Sequence, residues 1–393
     1  MKKNKNLKKT FKTITEYEKL KDYFNQEFEK FLTNDLKKFE KNLSISKTNK
    51  KHLTFFYELI KDYALNNGKR LRPIFLILTY KIYSKKVNSN REDSIKKILL
   101  PSFAIELIHT YSLILDDIMD EDEFRRNKKT VYKKVKDYYL ENFKEINYNG
   151  SLFNKRSNKF ANSFSIMLGN LTRILATECL INSDFSSQQK LKAIKLLEET
   201  DKLIYQGQML DILFENITYN NTSFISEKDY IKMIVLKTGV LFSLCFELGL
   251  LLAHNNQKNF SNNKNLINQI EKIKKASLYW AIAFQINDDI LDIDMNNKKG
   301  HEIGSDLKKQ KKTLLLIKAL DILKKNNDND KIKFLLNLNP DSSNEEIKKA
   351  IQIINETSLS YVKNLKDRYY KNSKKLFKET RLHEIFNFLE KFI

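Results

Sequence analysis

Apolar positions recur at helical spacing along nearly the whole chain. An amphipathic stretch runs from Tyr17 to Phe39, and a second over 52–66 (HLTFFYELIKDYALN). The segment 74–83 (IFLILTYKIY) is almost wholly apolar. A central helix is predicted over 101–120; the first half of the stretch 103–126 is apolar on every side with one histidine inside it, and the second half is an acidic knot. Helical periodicity then returns at 161–181, 186–217, 227–253, 266–293, 313–325, 344–371 and 373–391. No stretch alternates with period two convincingly enough for a strand, and no repeat of 20–50 residues is visible. The pattern therefore predicts an all-α protein. Breaks fall where expected: Gly68 can close one helix and Pro73 sit in the first turn of the next. Asn- and Lys-rich sequence from about 141 to 160 predicts a surface insertion loop, and polar gaps span 255–264 and 294–312. Residues 1–50 read as a basic polar lead-in with a first helix, and 51–393 as one catalytic-sized domain.

Composition sharpens this picture. Only 8 Gly and 3 Pro in 393 residues suit long helices, and 41% hydrophobic residues suffice for a large core. The net charge of +22 is read as a lysine-coated surface, or as attraction to anionic substrates, a membrane surface or nucleic acid. Zinc spacings, RNP-like motifs and helix-turn-helix signatures are not seen, so no nucleic-acid partner is expected. Cys179 and Cys245 lie in apolar helical context and read as buried thiols of a reducing compartment. No apolar run reaches ~18 residues, so no transmembrane span is expected. The opening MKKNKNLKKTFKTIT lacks an apolar signal core. A cytoplasmic location is expected, with mitochondrion or plastid as the alternative.

The chemistry concentrates in two places. Asp116, Asp117 and Asp120 form DDxxD at the end of the central apolar helix, and Asp288, Asp289 and Asp292 repeat it after a second apolar run. Positions i and i+4 lie one turn apart on one helix face. With 23 Asp in the chain, chance supplies roughly 0.08 copies of the pattern. Clustered carboxylates closing apolar helices call for cations, and Mg²⁺ with a diphosphate is the natural reading. Gln285 shares the helix face of Asp288 and Asp289. His109 is two turns before Asp116, roughly 10.5 Å away, either a satisfied core residue or part of the site. Lys69, Arg70 and Arg72 form either a solvated basic turn or an anion site at a helix start. Arg125 and Arg126 either compensate the neighbouring acids or bind phosphate bidentately. Lys237-Thr238-Gly239 is either a surface turn or the entry to an apolar helix near the core.

Five separated motifs in order carry a resemblance to a family: GKRLRP at 68–73, DDIMDEDEFRR at 116–126, GQMLD at 207–211, KTG at 237–239 and FQINDDILD at 284–292, with GSDLKKQKKT at 304–313 closing the series. The chain resembles the trans-isoprenyl diphosphate synthases. That resemblance implies a single-domain helical barrel of about ten or more helices around a central cavity, the isoprenoid synthase type I fold, with the two aspartate motifs facing each other. It implies a homodimer and about three Mg²⁺ per active site, held directly by Asp116, Asp120 and Asp288 and assisted by Asp117, Asp289 and Asp292. It implies that isopentenyl diphosphate sits on Lys69, Arg72, His109 and Arg126. The allylic diphosphate is held by Arg125, Lys237, Gln285 and Lys311, and Lys237, Thr238 and Gln285 stabilise the allylic cation. Peripheral membrane contact would serve product release.

Product length is read from the residues before Asp116. Tyr111, five residues earlier, lies about 7.5 Å below the metals, and Ser112 is small. By resemblance, one aromatic at the deeper place implies geranylgeranyl diphosphate, with longer polyprenyl or farnesyl products as alternatives. An inactive partner subunit, a terpene cyclase and a basic nucleic-acid binder are the other readings. Both intact DDxxD motifs disfavour the first, the second DDxxD and GKRLRP the next, and buried acidic motifs the last.

Overall fold

The computed structural model describes residues 2–66, 68–84, 91–125, 127–217, 225–254, 264–295 and 303–392. They form two compact units, 1–194 and 195–393. Arg126 lies outside the described residues.

In the first unit, α1 (Lys2–Asn42) turns a stripe of Phe24, Phe28, Leu32 and Leu36 inward. Phe24 and Phe28 pack against Phe103 at ring separations of 5.4 and 5.1 Å. The Ser46 side chain caps α2 (Lys47–Ala64) by accepting from the Asn49 amide. α3 spans Leu71–Tyr83, after Arg70 in the left-handed region (φ 48°). α4 is Arg91–Met119, so the central helix starts ten residues before the expected 101. It runs through Pro101, where the missing backbone donor is offset by the buried Ile98, Leu99, Phe103 and Ala104 around it. An antiparallel hairpin follows, β1 (Phe124–Arg125) and β2 (Lys128–Lys129), too short to show as alternation. α5 (Val131–Asn142), capped by Thr130, was not anticipated. The insertion is narrower than expected, 143–155, because α6 (Arg156–Ile181) starts at Arg156. Glu145 ties it down by accepting from the Ser157 amide (3.3 Å). α6 packs along α4, and a Cβ on Gly169 would meet the Leu115 side chain at 3.0 Å.

α7 (Ser187–Asn216) carries the chain into the second unit. There α8 (Glu227–Ile234) opens with a Ser226/Asp229 capping box. A π-helical turn, Val235–Gly239, leads into the apolar α9 (Val240–Ala253). α10 (Lys264–Asp292) carries Trp280, buried and edge-on to Phe242 (4.9 Å). α11 (Ser305–Lys308), α12 (Leu314–Lys325) and α13 (Asn329–Leu336) follow, the last unanticipated. The single helix expected over 344–371 is two, α14 (Asn344–Thr357) and α15 (Leu359–Lys378). The break falls at Ser358, whose buried hydroxyl donates to the Leu315 carbonyl (2.8 Å), a tertiary contact without a sequence signal. α15 lies on α10, where the Ser373 hydroxyl donates to the Ala276 carbonyl (2.7 Å). α16 (His383–Leu389) is the last helix of ordinary length described.

Three segments, Ile95–Met119, Arg156–Ile181 and Glu227–Ala253, are long and apolar enough to cross a membrane by length and composition. Strictly uninterrupted runs are shorter, which is why the sequence reading found none. In the first and third, 72% and 67% of the apolar window is buried inside the protein, against 44% in the second.

Candidate active-site elements

The first triad closes α4. Carboxylates at a helix C-terminus oppose the helix dipole, so this end demands compensating cations and donors. Arg125 supplies charge by folding back from β1. Its Nε donates to Asp117 Oδ1 and its Nη2 to Asp116 Oδ2 (3.1 Å), with Asp122 at 3.7 Å. Asp117 is buried, and its other oxygen, Oδ2, accepts from the Tyr63 hydroxyl (2.6 Å). Burial pushes the Asp117 carboxyl up to about 6, against the opposing pull of Arg125 and Tyr63. Asp116 and Asp120 remain partly exposed one turn apart, and the Asp120 amide donates to the Asp116 carbonyl (2.8 Å).

The basic turn splits its cations between two tasks. Arg70 is buried, paired with Glu106 and hydrogen-bonded through Nε to Asn25 (2.9 Å). It is therefore structural, a role its sequence context did not reveal. Lys69 is exposed and Arg72 partly exposed. Arg72 Nη1 donates to His109 Nε2 (3.2 Å), so the structure brings these two expected ligands together. That bond requires Nε2 to be unprotonated. Tyr111 is fully buried beneath the triad, and the Ser112 hydroxyl donates to the His109 carbonyl (2.8 Å).

The second triad closes α10 in the other unit. Asp288 is exposed, Asp289 buried and Asp292 partly buried. Asp289 Oδ2 accepts from the buried Tyr230 hydroxyl, and Oδ1 from Gln285 Nε2 (3.1 Å). Burial pushes Asp289 up to about 7, with these two hydrogen bonds pulling the other way. Asp292 accepts from the Ser305 hydroxyl (2.8 Å) and the Asp306 amide (3.2 Å). Asp306 itself was missed by sequence reasoning. Desolvation, then the Asp292 and Asp289 charges, hold its carboxyl well above the usual range. It sits inside the GSDLKKQKKT segment, which carried no assigned role for it; Gly304 there adopts φ +73° to turn the chain back onto α10.

Lys237 and Thr238 lie in the π-helical turn, a rare conformation often found at functional sites. A Cβ on Gly207 would fall 2.2 Å from the Lys237 nitrogen, so α7 meets this turn backbone to backbone only through glycine. Lys237 Nζ pairs with Asp211 at 2.6 Å, joining GQMLD to KTG. Lys311 Nζ lies 4.0 Å from Glu215.

Among the described residues, no three His, Cys, Asp or Glu side chains are grouped as an all-protein cage for an ion. Mg²⁺ rarely uses such cages. It takes one or two carboxylates and completes its shell with water and phosphate oxygens. Asp116 with Asp120, and the exposed Asp288, fit that requirement.

A family model described as polyprenyl synthetase matches residues 54–354. A short chain isoprenyl diphosphate synthase of Methanocaldococcus jannaschii is 30% identical over 317 residues, covering 78% of each chain. A geranylgeranyl diphosphate synthase of Sulfolobus acidocaldarius is 30% identical over 320 residues, covering 81% of this chain and 82% of its own. The fold matches that of a geranylgeranyl pyrophosphate synthase from Corynebacterium glutamicum, crystallised with isoprenyl diphosphate and magnesium. The TM-score is 0.76 at 21% identity over 93% of this chain and 96% of that one. With both DDxxD triads in place at the ends of apolar helices, the chain belongs to the polyprenyl synthetase family and is an all-α prenyltransferase.

Proposed function

We propose that this prenyltransferase condenses isopentenyl diphosphate with an allylic diphosphate and releases geranylgeranyl diphosphate. The observation that carries the reading is the repeated triad: at each helix end the middle aspartate is buried and held by protein donors, and the outer carboxylates lie one turn apart in more exposed positions. Mg²⁺, about three per active site, would be held by Asp116, Asp120 and Asp288, with Asp117, Asp289 and Asp292 supporting them. Bound there, it neutralises the diphosphate and makes it a better leaving group. Arg125 and Lys311 hold the allylic diphosphate, and Arg125 exchanges its present hold on Asp116 for phosphate oxygens. Lys69, Arg72, His109 and Arg126 hold isopentenyl diphosphate.

The C–O bond to diphosphate breaks, and the resulting allylic cation is met by oxygen dipoles: the Lys237 carbonyl, the Thr238 hydroxyl and the Gln285 amide. Because Gln285 Nε2 is engaged with Asp289, its amide oxygen is the end that faces the cation. The double bond of isopentenyl diphosphate attacks, a C–C bond forms, and a proton leaves to the released pyrophosphate. Tyr111, buried below Asp116, forms the floor that stops growth.

The exposed apolar face of α6, with Ile166, Met167, Leu171, Ile174 and Ile181, supports a homodimer through that helix. Free, buried Cys179 and Cys245 suit a reducing compartment such as the cytoplasm. The test is incubation with labelled isopentenyl diphosphate and dimethylallyl, geranyl or farnesyl diphosphate, followed by chromatography of the dephosphorylated products. A twenty-carbon alcohol is expected from all three. A fifteen-carbon product, or one beyond twenty carbons, would contradict the product assignment.

A further inference from the structure

The two triads share a device that sequence spacing does not reveal. In the first unit, Tyr63 reaches from the last turn of α2 to Asp117, 54 residues on. In the second, Tyr230 reaches from α8 to Asp289, 59 residues on. Each hydroxyl donates to Oδ2 of the middle aspartate of its DDxxD. Both tyrosines and both aspartates are buried. In each case the remaining oxygen, Oδ1, is taken by a further side chain, Arg125 or Gln285. Each tyrosine also precedes a lysine of a candidate substrate-binding turn, Lys69 six residues after Tyr63 and Lys237 seven after Tyr230.

We propose that Tyr63 and Tyr230 are paired positioning residues: each clamps the middle aspartate and thereby fixes the helix end that presents the outer carboxylates to Mg²⁺ and diphosphate. A core tyrosine filling space needs no partner of one particular kind. Here a tyrosine hydroxyl meets the carboxylate of the same triad position in both units. With each oxygen of the middle aspartate held by a donor, its side chain is restrained in one rotamer. The last helical turn is then pinned at its centre, and Asp116 with Asp120, or Asp288 with Asp292, keep one relative orientation. Metal sites lose affinity when such outer supports are removed, typically 10- to 100-fold. The device rests on the metal reading above, and it adds residues that no motif of the sequence marked.

The test uses the full chain with Mn²⁺ and inorganic pyrophosphate, bound Mn²⁺ being read by electron paramagnetic resonance and folding by circular dichroism. In Tyr63→Phe and Tyr230→Phe, Mn²⁺ affinity should fall about 10-fold at temperatures where the variants are fully folded, with the KM for isopentenyl diphosphate unchanged. Folded variants that bind Mn²⁺ within twofold of wild type would overturn the proposal, since a purely structural tyrosine lowers only the melting temperature. If a phenylalanine leaves too costly an unpaired buried carboxylate to fold, the comparison moves to Asp289→Ala against Asp289→Ala/Tyr230→Phe, where the carboxylate that the hydroxyl clamps is gone. Equal affinity in this pair is expected because Tyr230 acts only through Asp289. A further 10-fold loss would overturn it. A wild-type chain that binds no Mn²⁺ with pyrophosphate would sink the metal reading itself, and this inference with it.

Discussion

The two triads solve one problem with different charges. Both gather carboxylates at a helix C-terminus, both bury the middle one, and both give it a tyrosine hydroxyl. In the first, the second donor is a cation: Arg125 touches Asp117 and Asp116 and lies near Asp122. In the second, both donors to Asp289 are neutral, Tyr230 and Gln285, and a further, half-buried carboxylate, Asp306, stands close by. Burial pushes both middle aspartates up, opposed at the first by the Arg125 charge and at the second only by neutral hydrogen bonds. The lesson is that one helix end carries its own counter-charge, whereas the other leaves more of that task to bound cations.

The largest effect should come from removing an outer carboxylate. Asp116→Asn and Asp288→Asn are each expected to lower turnover of labelled isopentenyl diphosphate by about 10³-fold, roughly 4 kcal/mol of transition-state stabilisation. A loss under tenfold at either position would break the assignment of that triad. Next comes the asymmetry of the second donors. Arg125→Leu leaves buried carboxylate charge unpaired and should cost roughly 3–5 kcal/mol in denaturant unfolding. Gln285→Leu removes a neutral donor and should cost roughly 1–3 kcal/mol. Equal costs would erase the distinction drawn between the two ends.

Gly207→Ala forces a methyl against the Lys237 backbone and should destabilise by about 3 kcal/mol. It should also depress turnover, because the π-helical turn bearing Thr238 must move. Tyr111→Ala should shift the product beyond twenty carbons, and an unchanged product would show that Tyr111 is not the floor.

The smallest effect is a control for burial alone. Asp201 on α7 is buried, and burial holds its carboxyl up at about 6. A raised folded value means that ionisation is penalised in the native state. The penalty is absent below the unfolded value near 4 and complete above about 6. Asp201→Asn should therefore raise stability at pH 8 by roughly 1–3 kcal/mol, with the gain fading as pH falls from 6 to 4. A gain that persists at pH 4 would assign the effect to something other than charge.

Much of the fold and part of the site were legible in the sequence, for definable reasons. Periodicity marks helices whose apolar face is wide, such as α4 and α10. It passes over α5, whose stripe of Val131, Val135 and Tyr139 is narrow among lysines, and the eight-residue α13. It cannot mark the break at Ser358, which a contact to Leu315 fixes. Both DDxxD motifs are visible because their residues are adjacent in sequence. The partnerships of Tyr63, Tyr230, Asp306 and Arg70 are not, since their partners lie 14 to 59 residues away on other elements. Until the chain is folded, each looks like an ordinary helical aromatic, a loop acid or one more surface cation.

The most direct test of the account is calorimetric titration of the chain with a non-reactive bisphosphonate, with Mg²⁺ present and with Mg²⁺ removed by chelation. The account predicts tight binding only with Mg²⁺, with about three ions taken up per chain, and loss of that binding in Asp116→Asn and Asp288→Asn. Equal affinity in chelator, or undiminished affinity in those variants, would contradict it.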